Sequence, residues 1–256
     1  MTVIAVTSWR GIGTSTTGLL LAAAVAASGS EAWFVEADAA GGVLASRADG
    51  LDTSGGLERV AFAGSDESAH RSLASCARRL GQVNVVTGSW DPFQAWSTIA
   101  SPRRPWVGAL GRLDGTVVVD VGSMRGGNVP AWRVLDVADV VLVVATPEPA
   151  SLASTVSWVD SKGQTSPGLA GLSTQPRLVV VDAPLTAGER FGPDVAGELG
   201  DRLVGWWPWE PKVIDHVYRG GGLDHRSIRR FALPRAAHAT VESLLGRTRV
   251  QGSVSV

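Results

Sequence analysis

Lysine, cysteine and tyrosine are nearly absent from this chain of 256 residues. The lysines are Lys162 and Lys212 alone, and there is one cysteine and one tyrosine. A lone Cys76 excludes an internal disulfide framework and fits a reducing compartment; within Leu73-Ala74-Ser75-Cys76-Ala77 it reads as a helix packing residue. His70, His216, His225 and His238 show no close spacing with cysteine or carboxylates, so surface or cap roles are expected rather than zinc. No Ser-His-Asp arrangement is visible. The chain also lacks any uninterrupted apolar run of about 18 residues, and its N-terminus enters a strand without a basic region and cleavage site, so neither a transmembrane helix nor a signal peptide is expected. With 23 basic and 24 acidic residues the net charge is −1, which argues against a strongly cationic nucleic-acid binder. A cytoplasmic protein is expected.

What is present is apolar and β-branched. Runs at Val3 to Thr7, Ala32 to Glu36, Val83 to Thr87, Thr116 to Asp120, Val140 to Ala145, Leu178 to Val181 and Leu203 to Trp207 are separated by stretches long enough for crossover helices. The predicted fold is α/β, a doubly wound, mostly parallel sheet of about seven strands flanked by helices. At 45% hydrophobic residues the chain can bury one large core, so residues 1–248 are expected to form a single domain and 249–256 a flexible tail. Asp49 to Gly56 and Ser161 to Thr174 are Gly/Ser/Asp-rich and read as loops. Of ten tryptophans, Trp33, Trp158, Trp206 and Trp207 read as core. Trp9, Trp90, Trp96, Trp106, Trp132 and Trp209 fall in predicted loops or helix starts, where they could cover a ligand or a partner.

The chemistry concentrates at Arg10-Gly11-Ile12-Gly13-Thr14-Ser15-Thr16-Thr17, between the strand Thr2 to Thr7 and a Leu/Ala-rich helix over Gly18 to Ala27. Glycines there let the main chain approach an anion, and helix amides face it. An ordinary helix cap is the competing reading. As a phosphate loop it would put its lysine at position 15, where Ser15 stands, and its Mg²⁺-binding hydroxyl at Thr16. Neither lysine of the chain is local.

The loop resembles the deviant phosphate loop of the MinD/ParA group of P-loop ATPases, Lys-Gly-Gly-Val-Gly-Lys-Thr-Thr. Laid on it, Arg10 replaces the signature lysine, Gly11 matches a glycine, Ser15 replaces the second lysine, and Thr16-Thr17 match the threonine pair. Glu36-Ala37-Asp38-Ala39-Ala40-Gly41 is similar to the family's switch I, with Asp38 as its aspartate. Thr116 to Ser123 is similar to Walker B and switch II, with Asp120 as its aspartate. Asp139 to Thr146 and Arg177 to Asp182 resemble the next two strands, and Leu203 to Pro211 resembles the base-binding strand and loop. The resemblance is collinear from Thr2 to Ala237.

The resemblance implies a P-loop nucleotide fold binding ATP and Mg²⁺, unless nucleotide binding has been lost. The nucleotide residues would be Arg10, Gly11, Ile12, Gly13, Thr14, Ser15, Thr16, Thr17, Asp182, Pro208 and Glu210. Thr16, Asp38 and Asp120 would hold the metal, and Asp38 and Asp120 would serve catalysis in an active enzyme. The missing lysine implies a degenerate pseudo-ATPase that regulates spatial positioning of pilus or secretion machinery, the septum or the chromosome, most similar to divergent TadZ/CpaE-like or septum-site-determining members. The alternatives are an active ATPase segregating DNA and an interaction module that no longer binds nucleotide. Implied partners are a protein of that machinery and a second copy in a homodimer bridged by Arg10, with membrane association only through a partner. Arg226, Arg229 and Arg230, at helical i, i+3, i+4 spacing, offer DNA a phosphate-binding face, against a solvated arginine face as the plain alternative. Arg78-Arg79 and Arg103-Arg104 are further basic pairs.

Overall fold

The computed structural model describes residues 1–52, 56–101, 105–125, 129–161, 169–184 and 190–252. Arg103, Arg104, Lys162, the middle of both predicted loops and residues 253–256 lie outside them. In chain order the elements are β1 (Thr2–Ser8), α1 (Thr14–Ala27), β2 (Ala32–Glu36), α2 (Leu57–Ala61), α3 (Asp66–Cys76), β3 (Arg78–Leu80), β4 (Val83–Val86), α4 (Pro92–Ala100), α5 (Pro105–Leu110) and β5 (Thr116–Ser123). They continue with α6 (Trp132–Val137), β6 (Val140–Ala145), α7 (Pro149–Asp160), β7 (Arg177–Asp182), α8 (Ala196–Leu199), β8 (Leu203–Pro208), α9 (Pro211–Tyr218) and α10 (Ala232–Gly252). The last helix therefore extends to Gly252, into the stretch expected to be tail.

The strands form one sheet in the order β3-β4-β2-β5-β1-β6-β7-β8. All seven predicted strands are present and mutually parallel where they pair; the eighth, β3, was not anticipated and pairs antiparallel with β4 at the edge. Val, Leu and Ile runs suit this sheet because helices cover both faces. Ile4, Phe34, Val118, Leu142, Val179 and Trp207 point to the side of α1, α9 and α10. Their neighbours Val3, Trp33, Val117, Val141 and Leu178 point to the side of α3, α5 and α7, where Trp106 and Trp158 fill the core. Helix α1 is apolar all round and buried along its length. It approaches β2 closely because residue 18 is glycine: a Cβ there would lie 2.8 Å from the Phe34 ring.

Strand order turns at β1, which lies between β5 and β6, with β2 and β4 beyond one and β7 and β8 beyond the other. In a sheet of this kind the crevice at the carboxyl ends of the strands at the turning point is where a ligand fits. No described helix is long and apolar enough to cross a membrane.

Candidate functional site

The loop leaves β1 through an irregularity between Val6 and Ser8. Gly11 and Gly13 take left-handed conformations, φ 76° and 70°, which side chains disfavour. At Gly11 a Cβ would also come within 3.3 Å of the Ser123 Cβ. Gly13 caps α1, and Thr14 is the first helical residue. The amides of Gly11 and Ile12 converge on one acceptor, the Ser8 hydroxyl oxygen, at 2.8 and 3.2 Å. An oxygen of this chain thus occupies the place where an anion nest would hold a phosphate oxygen. Arg10 is exposed and joins none of the ion pairs among the described residues.

The helix start shifts the expected loop register by one residue. Counted back from Gly13, Ser8 to Ser15 falls on G-x-x-x-x-G-K-[ST], with Ser8 at the first glycine, Thr14 at the lysine and Ser15 at the metal-binding hydroxyl. Side-chain geometry agrees. The Ser15 hydroxyl is the one beside Asp120, whereas the Thr16 hydroxyl turns away to the Tyr218 hydroxyl of α9, 2.9 Å distant. Thr16, expected as the metal ligand, and Ser15 face different ways because successive helix residues differ by about 100° in direction. Trp9, not Arg10, then falls at the signature lysine. Its ring stacks on Trp158 of the same chain, 5.3 Å between centroids.

Three carboxylates gather behind the loop. Asp120 pairs in register with Val6 and Glu36. It is fully buried, accepts the Gly122 amide at 3.0 Å on Oδ1, and has no hydrogen-bond partner on Oδ2. Burial pushes its pKa up to about 7; the nearby Ser15 hydroxyl pulls it down, and the Asp38 and Glu36 charges raise it. The serine thus favours the charged form without completing a bond to Oδ2. Asp38 is raised by burial, against the opposing amide of Ala40 at 2.8 Å. Its carboxyl lies over Gly122 where any Cβ would stand. Glu36, also raised by burial, is fully engaged: it accepts the amides of Val43 at 2.7 Å, Leu44 at 2.9 Å and Gly88 at 3.0 Å. It anchors the loop after Asp38. Among the described residues no three His, Cys, Asp or Glu side chains are grouped so that all could hold one metal ion.

A cavity of about 170 Å³ opens on the other side of the loop. Ile12, Gly13 and Thr16 form one wall, Pro208 and Trp209 another, and Arg47 the rim. Pro208, expected at the base, lines this cavity. Asp182 does not: the strand's alternation turns Val181 and Ala183 into the cavity, while the Asp182 carboxylate pairs with Arg190 at 2.5 Å. Glu210 is also occupied, accepting the amides of Ala232 at 3.2 Å and Leu233 at 2.8 Å at the start of α10. Both carboxylates, expected at the base, are engaged by groups of the chain itself in this structure. Ser8, Glu36, Arg47 and Tyr218 were not singled out from sequence; counting from the last glycine of the loop would have found Ser8.

Other expectations fare unevenly. Trp33, Trp158 and Trp207 are buried, and Trp206 packs partly buried against a small cluster with Leu152. Trp106, expected in a loop or helix start, is fully buried. Trp90 and Trp96 are exposed. Arg226, Arg229 and Arg230 are exposed but lie in turns before α10, so they form no helical face.

No protein-family model matches the sequence, and no curated protein sequence matches it. Solved structures do. The septum site-determining protein MinD of Pyrococcus horikoshii, complexed with Mg-ADP, superposes with a TM-score of 0.67 at 18% identity, over 96% of this chain and 98% of that one. A ParA family ATPase from Chlorobium tepidum gives 0.68 at 16%, over 94% and 98%. MinD in the MinC:MinD cell division complex of Aquifex aeolicus gives 0.61 at 17%, over 96% of each. With a phosphate-loop geometry at the turning point of the sheet and these likenesses along nearly its whole length, the chain has the MinD/ParA-like P-loop fold.

Proposed function

We propose that this protein is a nucleotide-linked regulator of spatial positioning that binds without efficient hydrolysis. The observation that carries the reading is Thr14 at the lysine position of a loop that keeps its left-handed Gly11 and Gly13 at the start of α1. In phosphoryl transfer that cation neutralises charge developing on the β- and γ-phosphates, and losing one such contact costs on the order of 3 kcal/mol, about a hundredfold in rate. A metal fits better than a full triphosphate. Asp120 Oδ2 is buried and unpartnered, and the Ser15 hydroxyl lies beside the same carboxyl; this pair would hold Mg²⁺ and its water. Bound there, Mg²⁺ would neutralise phosphate oxygens; Asp38 would orient water from the far side of Gly122. The Mg-ADP complex of the Pyrococcus horikoshii protein supports this use of the fold.

A protein partner belongs to the same reading. Phe62, Trp90, Phe93 and Trp96 are exposed around α2 and α4, and the Ser89 carbonyl accepts the Gly42 amide at 2.6 Å, joining that surface to the loop after Asp38. Exposed aromatics of this kind mark contact surfaces, and the Aquifex aeolicus protein was solved in complex with MinC. The partner would be pilus, secretion or division machinery, reached from the cytoplasm. A homodimer would rely less on Trp9, already stacked on its own chain, than on exposed Arg10. DNA segregation by an active ATPase would draw on the exposed turn arginines Arg226, Arg229 and Arg230. An ATPase assay on the purified protein decides: no measurable turnover is expected. Turnover near one per second, abolished by Asp38→Ala or Asp120→Ala, would overturn the reading.

A further inference from the structure

The nucleotide reading leaves open which part of a nucleotide this site holds. Two features divide it. On the β1 side, the Gly11 and Ile12 amides that would take outer phosphate oxygens already bond the Ser8 hydroxyl, and Thr14 brings no charge. On the α9 side the cavity is formed, apolar against Pro208 and Trp209, and rimmed by Arg47.

Arg47 is presented by a tethered segment. Upstream, Glu36 holds the amides of Val43 and Leu44. Downstream, the Asp49 amide donates to the Tyr218 carbonyl at 3.1 Å, and the Tyr218 hydroxyl pairs with Thr16 in the first turn of α1. Leu44 and Ala48 are buried beneath. The Arg47 side chain itself is exposed and joins none of the ion pairs among the described residues. A guanidinium carried on this tethered backbone, and sharing a cavity with Gly13 and Thr16 at a helix start, matches a phosphate in charge and in fork geometry.

Resting on the nucleotide reading, we propose that the site takes a nucleoside monophosphate: the base lies against Pro208 and Trp209, the single phosphate sits between Arg47 and the first turn of α1, and the Ser8 hydroxyl closes the subsite for further phosphates. Specificity then runs opposite to that of a triphosphate enzyme. Each added phosphate must displace Ser8 from two amides without a lysine to receive it.

Calorimetric titration of the native protein with adenosine, AMP, ADP and ATP, each with Mg²⁺, and with GMP, tests this. AMP is expected to bind at least about tenfold tighter than adenosine, the size of one charged hydrogen bond, and ATP no tighter than AMP. The same order with GMP in place of AMP supports it equally. Arg47→Ala should reduce AMP to the level of adenosine, and Arg47→Lys should restore part of the gain. Ser8→Gly, with Ser8→Ala in reserve should the glycine variant melt early, should raise ADP affinity about tenfold. ATP binding tenfold tighter than AMP to the native protein, or AMP binding unchanged in a folded Arg47→Ala variant, would overturn the proposal. A native protein that binds none of these ligands ends the nucleotide reading itself, and this inference with it.

Discussion

At the scale of single residues, the buried carboxyl of Asp120 couples the site to stability. Its folded-state pKa of about 7 stands above the ordinary 3.8, so the folded protein holds the proton more tightly than the unfolded chain does. The contribution of this group to stability is therefore greatest at low pH and falls as pH rises from about 4 to about 7, by at most about 4 kcal/mol. Asp120→Asn removes the buried charge while its carbonyl oxygen can still accept the Gly122 amide. The variant is expected to melt several degrees higher than the native protein at pH 8, since about 1 kcal/mol moves a domain of this size by about 2–4 °C. The two should converge only below about pH 4, where the aspartate is protonated in the unfolded chain as well. A difference independent of pH, or a less stable variant at pH 8, would show that Asp120 is solvated or paired in solution.

At the scale of elements, residues that resemble ligand contacts turn out to hold helices and strands in place. Glu210 satisfies two free amides of the first turn of α10 from a position 22 residues upstream, and its charge suits the positive end of the helix. Glu210→Ala should cost about 1 kcal/mol, seen as a lower melting temperature and faster hydrogen exchange at Ala232 and Leu233. Nucleotide affinity should change little. A large loss of affinity with unchanged melting would return Glu210 to the base site.

At the scale of the whole molecule, the two cores lie on opposite faces of the same strands, so neither can dissolve without removing the support of the other. Trp207 reports one face and Trp106 the other, both fully buried. Denaturant unfolding followed by fluorescence in Trp207→Phe and Trp106→Phe variants should therefore give a single transition whose sharpness, the dependence on denaturant, agrees between them. Separate transitions for the two faces, or for α10 alone, would mean that the chain is not one cooperative unit.

Local sequence determined most of the sheet. Seven β-branched runs became seven strands because a strand buried on both faces has to be apolar along its whole length. Only β3 escaped: three residues, two of them arginine, pair at an edge through backbone bonds that leave no apolar pattern. The loop's place between β1 and α1 was equally legible, but its register was not, because the helix start at Gly13 decides which hydroxyl meets Asp120. Tertiary structure alone decided what the carboxylates do. Asp182 is taken by Arg190 and Glu210 by the start of α10, while Asp120 keeps an unpaired oxygen. A side chain's identity fixes the bonds it is able to make, but the partners that claim those bonds arrive from distant parts of the chain only when it folds.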